Sequence, residues 1–398
     1  MKMAKIAILG FGTVGSGVFE IFENSDFTKK TGEEIKVKKI LDIRDFPDHP
    51  KKELFTKDFD DILEDNEISV VAETMGGLHP AYEFTKALLE KGKCVTTSNK
   101  ELVATYGPEL LKLADEKKVR YMFEASVGGG IPVITPLMNS LEANKVERIA
   151  GILNGTTNFI LSEMFQKGSE FSDALKMAQD LGYAERNPAA DIEGHDASRK
   201  IAILSSMAMG AFVDYNDIET KGITEIETED VKYAEKMGAS IKLIGFSERN
   251  EKDELYACVA PMIIKNSIPL SGVSDVFNAI MVRGNFLGDA MFYGRGAGKE
   301  ATASAVSADI IDMVKLPHLK NALLWDTNKV KMTKDKKWQF FGRCKKDIDT
   351  VKSYFPDAKI IDGVVAGEIG YITPEILEAD FIKAAENLGG KWIKVLSE

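Results

Sequence analysis

The densest run of chemically competent side chains lies between residues 182 and 200. Asp191 and Glu193 precede Gly194, and His195, Asp196, Arg199 and Lys200 follow it. Asp196 and Lys200 are four apart, so on a helix they share one face. One reading is a solvated ion pair, a common surface feature. The other starts from Ile201-Ala202-Ile203-Leu204, an apolar segment that follows Lys200 at once. A lysine at such a boundary is partly desolvated, and a desolvated lysine is tuned toward proton transfer. A second lysine, Lys100, closes the segment Thr97-Ser98-Asn99-Lys100. It follows a strand-like run, and ligands of parallel sheets bind at such strand ends. His195 has no partner at metal-ligand spacing, and His49, His79 and His318 are scattered. No Cys/His cluster suggests a catalytic zinc.

Gly10-Phe11-Gly12-Thr13-Val14-Gly15 is a G-x-G-x-x-G pattern set between an apolar run and a helical pattern. Gly10 permits a tight turn, Gly12 lets the backbone approach a pyrophosphate, and Gly15 allows close helix–strand packing. The phosphates would sit on the helix N-terminus, where N–H groups and the dipole favour anions. The cofactor's identity depends on the end of the second strand. Asp42 could accept the ribose hydroxyls of NAD, and Arg44 could pair with the 2′-phosphate of NADP. Both are present, so NAD and NADP both stay open.

These groups need elements to hold them. Residues 5–9, 36–41, 69–73, 94–97 and 119–123 read as strands, and 80–91 and 108–117 as helices. Strands alternating with helices predict βαβ units and a parallel, Rossmann-type sheet. From about 126 the rhythm changes. Glycine-rich turns at 128–130, Gly151 and Gly155 lead into helices at 159–166, 171–181, 197–212 and 231–237. Strands return at 241–246 and 255–261, which predicts a mixed α+β domain, the one that the resemblance given below makes the catalytic and dimerisation domain. One more helix, 302–315, returns to the first part. The lysine-rich stretch 329–337 reads as a solvated linker. Beyond it, 338–344, 347–355, 359–365, 368–373, 374–388 and 392–395 follow the order βαββαβ, the ferredoxin-like pattern. The fold class expected is therefore α/β with three domains: 1–126 completed by 297–320, 127–296, and a small C-terminal domain at 331–398.

Composition narrows the partners. The chain has 398 residues and a net charge of −11. An acidic chain lacks the basic footprint of general nucleic-acid binding. Cys94, Cys258 and Cys344 lie far apart, which suits neither a disulfide framework nor a zinc site and fits a reducing cytoplasm. Cys94, within a strand, reads as a small core residue. Four glycines from Gly10 to Gly17 interrupt the apolar N-terminus, so it reads as a strand and turn and not as an export signal. The apolar run 201–213 is too short to span a bilayer.

Taken together, these segments resemble homoserine dehydrogenase. The strongest match is Ala178, Gly182-Tyr183, Asn187-Pro188, Asp191-Ile192, Gly194, Asp196 and Lys200, all at the family's spacing. Further matches are 73–77 (Glu73-Thr74-Met75-Gly76-Gly77), Ser98-Asn99-Lys100, 124–132, 151–158 and 294–298, so the resemblance covers about 5–320.

The resemblance implies reversible NAD- or NADP-dependent oxidation of L-homoserine to L-aspartate 4-semialdehyde. That step belongs to threonine, methionine and isoleucine biosynthesis from aspartate. Lys200 matches the proton donor and acceptor at the substrate oxygen, Lys100 the second lysine near it, and Asp191 a supporting acid. Glu185 and Asp196 match the carboxylates that hold the substrate's amino end, and Thr156 and Tyr183 fall on the substrate side. Gly10, Gly12, Thr13, Val14, Gly15, Arg44, Thr74, Lys100, Gly182 and Gly298 match cofactor contacts. Glu124 and the main-chain oxygens of Val127, Gly129 and Ile131 match a monovalent cation (sodium) site. A cytoplasmic homodimer or homotetramer is implied as well.

The tail resembles an ACT domain in element order. It lacks that domain's Pro-Gly-hydrophobic run near 347–351, so feedback binding of threonine is not expected. Two other readings compete: an oxidoreductase of a related amino acid or semialdehyde, and a non-catalytic amino-acid sensor. The sensor predicts losses at Lys100, Asp196 or Lys200, and all three are present.

Overall fold

The computed structural model describes residues 3–317, 319 and 324–397. His318 and parts of the 297–320 and 331–398 segments lie outside the described residues. The chain divides into two compact units.

The first unit comprises Met1–Lys145, Ala202–Tyr215 and Gly294–Val330. Its strands are β1 (Met3–Leu9), β2 (Glu34–Leu41), β3 (Phe55–Thr56), β4 (Ile68–Glu73), β5 (Cys94–Thr97) and β6 (Tyr121–Met122). They form one parallel sheet in the order β3-β2-β1-β4-β5-β6. The order reverses at β1 and β4, so their carboxyl ends open the crevice where such sheets take nucleotides. Ile6, Ile8, Val70 and Ala72 on the strands pack with Val18 and with Ala303, Val306 and Ile310 of helix Lys299–Lys315. That late helix thus completes the core of the first sheet. The expected strands appear, β6 shorter than the expected 119–123.

The expected helix 108–117 begins earlier, at Lys100, because Asn99 caps it by accepting from the Leu102 N–H at 3.1 Å. Pro108 lies inside the helix and does not start it. The expected helix 197–212 runs His195–Met209 and stops at Gly210, whose φ of +66° is left-handed. Beyond it, β8 (Ala211–Phe212) pairs in parallel with β14 (Asp326–Lys329).

The second unit comprises Val146–Ile201, Asn216–Tyr293 and Lys331–Glu398. Its strands are β7 (Val146–Ile152), β9 (Glu219–Thr220), β10 (Ala239–Arg249), β11 (Leu255–Lys265), β12 (Phe277–Gly284) and β13 (Gly288–Arg295). From the tail come β15 (Lys337–Cys344), β16 (Lys359–Ile361), β17 (Ile369–Ile372), β18 (Ile376–Leu377) and β19 (Lys391–Leu396). The main path runs β13-β12-β7-β10-β11-β19-β15-β17-β16. Sequence reading misses β7 and β12, and also β9, β13 and β18. The first two are buried on both faces over most of their length, so they lack the alternation that marks a half-buried strand. Gly151, read as a turn, lies inside β7, where a Cβ would come within 2.8 Å of Leu153 Cδ2.

The tail follows the βαββαβ order, and its strands lie in the antiparallel order β19-β15-β17-β16. The last helix is shorter than the expected 374–388, running Glu378–Leu388 after β18. The 329–337 stretch is no free linker. The Leu255 N–H donates to Lys331 O at 3.0 Å, the Thr333 N–H donates to Leu255 O at 2.8 Å, and Lys336 pairs with Glu248.

Candidate functional site

In the first unit the turn after β1 has the geometry of a dinucleotide cradle. Gly10 sits at φ +90° and its N–H donates to Leu41 O at 2.8 Å. A Cβ on Gly15 would fall 1.9 Å from Gly10 O, so only glycine lets helix Thr13–Asn24 approach this closely. Gly12 is the helix N-cap and supplies no side-chain cap, and a Cβ built on it meets nothing within 4 Å. The first-turn N–H groups, including those of Thr13 and Val14, therefore face a space with room for an anion. Thr74, across the crevice at the end of β4, donates its hydroxyl to Gly10 O at 2.8 Å and locks the turn. Gly298, at φ +119°, opens helix Lys299–Lys315 without a side-chain cap.

At the end of β2, Asp42 is already engaged. It accepts from the Phe11 N–H at 2.7 Å, from Arg44 Nε at 2.9 Å and from Arg44 Nη2 at 2.8 Å. These bonds hold its carboxyl down at about 2, the Arg44 side chain being the main cause. The Asp42 side chain is 7% exposed and that of Arg44 57% exposed. Arg44, Lys52 and Lys57 line one surface cavity with Asp42, Phe46 and Phe55.

Lys100 is half-buried at the first position of its helix. Beneath that turn lies Glu73, fully buried at the end of β4, which accepts from Thr97 Oγ1 and from the Met75 N–H at 2.7 Å. Burial pushes its carboxyl up to about 7 against those two bonds. The Asn99 amide donates to Gly77 O at 2.6 Å, so the 74–77 loop and the Lys100 turn are tied together.

Glu124 is buried, and its carboxylate accepts three main-chain N–H groups: Val133 at 2.6 Å, Ile134 at 2.9 Å and Thr135 at 2.7 Å. In the adjoining loop Gly129 stands at φ +58°, and a Cβ there would lie 2.4 Å from Gly296 O. Among the described residues no group of three or more His, Cys, Asp or Glu side chains could hold a metal.

In the second unit the Asp196–Lys200 pair is not a solvated one. Lys200 is 8% exposed and Asp196 4%. Lys200 Nζ donates to Asp196 Oδ2 at 2.8 Å and to Leu153 O at 2.7 Å. Asn154 Nδ2 donates to Asp191 Oδ1 at 2.7 Å and to Asp196 Oδ2 at 3.0 Å, so both acids and the lysine gather around one turn. Thr156, one residue into helix Gly155–Lys167, donates its hydroxyl to Tyr183 O at 2.6 Å. The Tyr183 ring meets Phe159 edge-on at 5.0 Å. Gly182 makes the left-handed turn before it, at φ +76°. Glu185 is exposed, and its main-chain oxygen accepts from Gln179 Nε2 at 3.2 Å. Asn154 and Glu73 are the two residues to which sequence reading gives no role. An asparagine directly before a helix was the available signal for the first.

A sheet of this order with a glycine turn after its first strand is a dinucleotide-binding arrangement, and the second unit adds a buried lysine held by a carboxylate. The class is the NAD(P)-dependent oxidoreductases acting on CH–OH. Comparison with known proteins narrows it: the chain belongs to the homoserine dehydrogenase family. The model for the NAD-binding domain of homoserine dehydrogenase matches residues 10–124, and that for homoserine dehydrogenase matches 132–311. The Synechocystis homoserine dehydrogenase is 42% identical over 318 residues, 78% of this chain and 73% of that protein. The Bacillus subtilis one is 39% identical over 322 residues, 79% and 74% of the two chains. Among solved structures, a homoserine dehydrogenase from Thiobacillus denitrificans superposes with a TM-score of 0.90 at 36% identity, covering 100% of this chain and 99% of that one. A hyperthermophilic archaeal homoserine dehydrogenase in complex with NADPH has a TM-score of 0.66 at 28% identity, covering 80% and 100%. The reaction is the reversible, NAD(P)-dependent oxidation of L-homoserine to L-aspartate 4-semialdehyde, a step of amino-acid biosynthesis. No described helix is long and apolar enough to cross a membrane.

Proposed function

We propose that Lys200 carries the proton step of this reaction. Its ammonium donates to the substrate's C4 oxygen in reduction, and the neutral amine takes the hydroxyl proton in oxidation. The observation that supports this is a lysine 8% exposed whose ammonium donates to the Asp196 carboxylate and to the Leu153 carbonyl. Asp196, with Glu185, receives the substrate's ammonium end, and Asp191 supports it. Thr156 and Tyr183 border the substrate. Lys100 steadies developing negative charge on the reacting oxygen. When bound, the nicotinamide gives or takes the hydride. Gly10, Gly12, Thr13, Val14, Gly15, Thr74, Gly182 and Gly298 hold the dinucleotide. Replacing Lys200 by Ala lowers kcat by about 10²–10⁴-fold, the usual weight of a general acid or base, while NADPH still binds. Turnover near the parent's would remove Lys200 from this role.

The cofactor we assign is NADP. Asp42 is occupied by Arg44 and Phe11, whereas Arg44, Lys52 and Lys57 offer three cations in one cavity to a 2′-phosphate. The cation site we assign is Glu124 with the main-chain oxygens of Val127, Gly129 and Ile131, for sodium. A hard cation prefers oxygen ligands, and a carboxylate steered by three amides is fixed in place for one. The working assembly is a cytoplasmic homodimer or a tetramer built from it. Phe286, Leu287, Met291 and Tyr293 are exposed at the β12–β13 hairpin and suit a second copy. The domains proposed are 1–126 with 297–320, 127–296, and an ACT-like unit at 331–398.

A further inference from the structure

Asn154 performs two tasks that pull its amide in opposite directions. It is the N-cap of helix Gly155–Lys167, and its Oδ1 accepts from the Thr157 N–H at 2.9 Å and from Thr157 Oγ1 at 3.1 Å. The Thr157 N–H can only donate, so the cap fixes which end of the amide is oxygen. Nδ2 must then face away from the helix, toward Asp191 Oδ1 at 2.7 Å and Asp196 Oδ2 at 3.0 Å. Each of its two N–H bonds goes to a different carboxylate. Asp196 Oδ2 also accepts from Lys200 Nζ, which donates as well to the carbonyl of Leu153, the residue before Asn154. One buried turn, 6% exposed at Asn154, therefore sets the lysine and both acids.

Capping alone does not demand asparagine. Ser, Thr and Asp cap about as well, but none of them caps with an oxygen and presents two N–H donors. The donors matter because two carboxylates converging on one point repel each other, and an amide NH₂ between them offsets that repulsion and fixes their separation.

We propose that Asn154 is a positioning residue of the reaction, holding Asp196 against Lys200 and Asp191 beside it through its two amide N–H bonds. This rests on the reading of Lys200 and Asp196 as the proton-transfer and ammonium-binding groups. Asn154 touches neither substrate nor cofactor in this role. It sets the geometry of the groups that do.

The test compares Asn154→Ser with Asn154→Asp in the full-length chain. Both keep an N-cap oxygen, so the Ser variant is expected to melt within about 3 °C of the parent. Its kcat/KM for L-homoserine should fall about a hundredfold, the cost of misplacing reacting groups by about 1 Å, with KM for oxidised NADP unchanged. The Asp variant adds a third carboxylate beside Asp196, so the limb of the pH–rate profile set by Lys200 should move to higher pH. Combined with Asp196→Asn, the Ser substitution should cost clearly less than it does in the parent, because the part of its effect that runs through Asp196 is already gone and only the part through Asp191 remains. Homoserine kinetics of Asn154→Ser close to the parent's would overturn the proposal, as would full additivity with Asp196→Asn. Lys200→Ala in the same assay separates the two levels: activity surviving that change sinks the Lys200 reading itself, whatever Asn154 does.

Discussion

The NADP assignment proposed above rests on a carboxylate and a guanidinium two residues apart. Arg44 closes on Asp42 through Nε and Nη2 while its Nη2 also donates to Phe11 O at 2.9 Å. The pair thus closes over the turn after β1, with the Arg44 side chain 57% exposed. Arg44→Ala should raise KM for NADP by about tenfold or more, since a charge-assisted hydrogen bond contributes roughly 1.5–3 kcal/mol. It should also free Asp42 for ribose hydroxyls, so KM for NAD should hold or fall. Steady-state kinetics with both cofactors checks this, and parallel losses with NAD and NADP would refute the assignment. At this scale the sequence was informative wherever partners are close along the chain. Asp42 with Arg44, and Asp196 with Lys200, are visible as spacings of two and four. The bonds from Asn154 to Asp191 and Asp196 span 37 and 42 residues, and no local pattern encodes such pairings.

The elements place two ionisable groups where water cannot reach them, and both leave a mark on stability. Glu73 ends β4, with its carboxyl up at about 7 from an ordinary 4.5 because of burial. Between those values the folded chain keeps a proton that the unfolded chain has lost, so stability falls as pH rises through that window. Lys242, in the middle of β10, donates to Val273 O at 2.6 Å and to Asn158 Oδ1 at 3.1 Å, and burial pulls it down to about 8 from 10.5. Between 8 and 10.5 the unfolded chain binds the extra proton, so stability rises with pH there. Unfolding curves at constant ionic strength should show both slopes. Glu73→Gln should flatten the first and Lys242→Met the second, and slopes unchanged in both variants would contradict the assignments. Gly15→Ala tests the same sheet from the ligand side. Its Cβ would fall 1.9 Å from Gly10 O, so dinucleotide binding should be lost, as read by quenching of NADPH fluorescence. Five of the six strands of the first sheet could be read from the sequence because each is a short apolar run closed by a turn, whereas β3, two residues long, carries no such run. The strands β7 and β12 could not, since burial on both faces erases the period-two signal.

For the molecule as a whole, the informative feature is how the last 68 residues join the second unit. Their βαββαβ order was legible, because each element carries its own pattern. Their attachment was not, because sheet partners are chosen across long separations. β19 pairs in parallel with β11, Met262 opposite Lys394 and Ile264 opposite Leu396. One apolar core runs from Ala150, Phe246 and Met262 to Trp338, Phe340, Phe381 and Leu396. Polar groups seal the same seam. Lys394 and Glu378, both buried, pair at 2.6 Å, and Tyr256 donates its hydroxyl to Glu378 at 3.1 Å. Arg343, buried in β15, reaches Asp230 through Nε at 2.6 Å, Glu368 through Nη1 at 2.8 Å, and Glu227. Asp230 and Glu227 form the capping box of helix Thr228–Lys236, so the tail holds the start of that helix. Removing 331–398 would expose the edge of β11 and half of this core, and the truncated chain should aggregate. A soluble, monodisperse and active truncation would refute that. Arg343→Met is the finer probe. It leaves Asp230, 1% exposed at its side chain, without its guanidinium, which costs about 3–5 kcal/mol in a buried pair. The expected result is a clear drop in unfolding midpoint with homoserine kinetics intact below it. An unchanged midpoint would mean that the apolar seam holds the tail by itself.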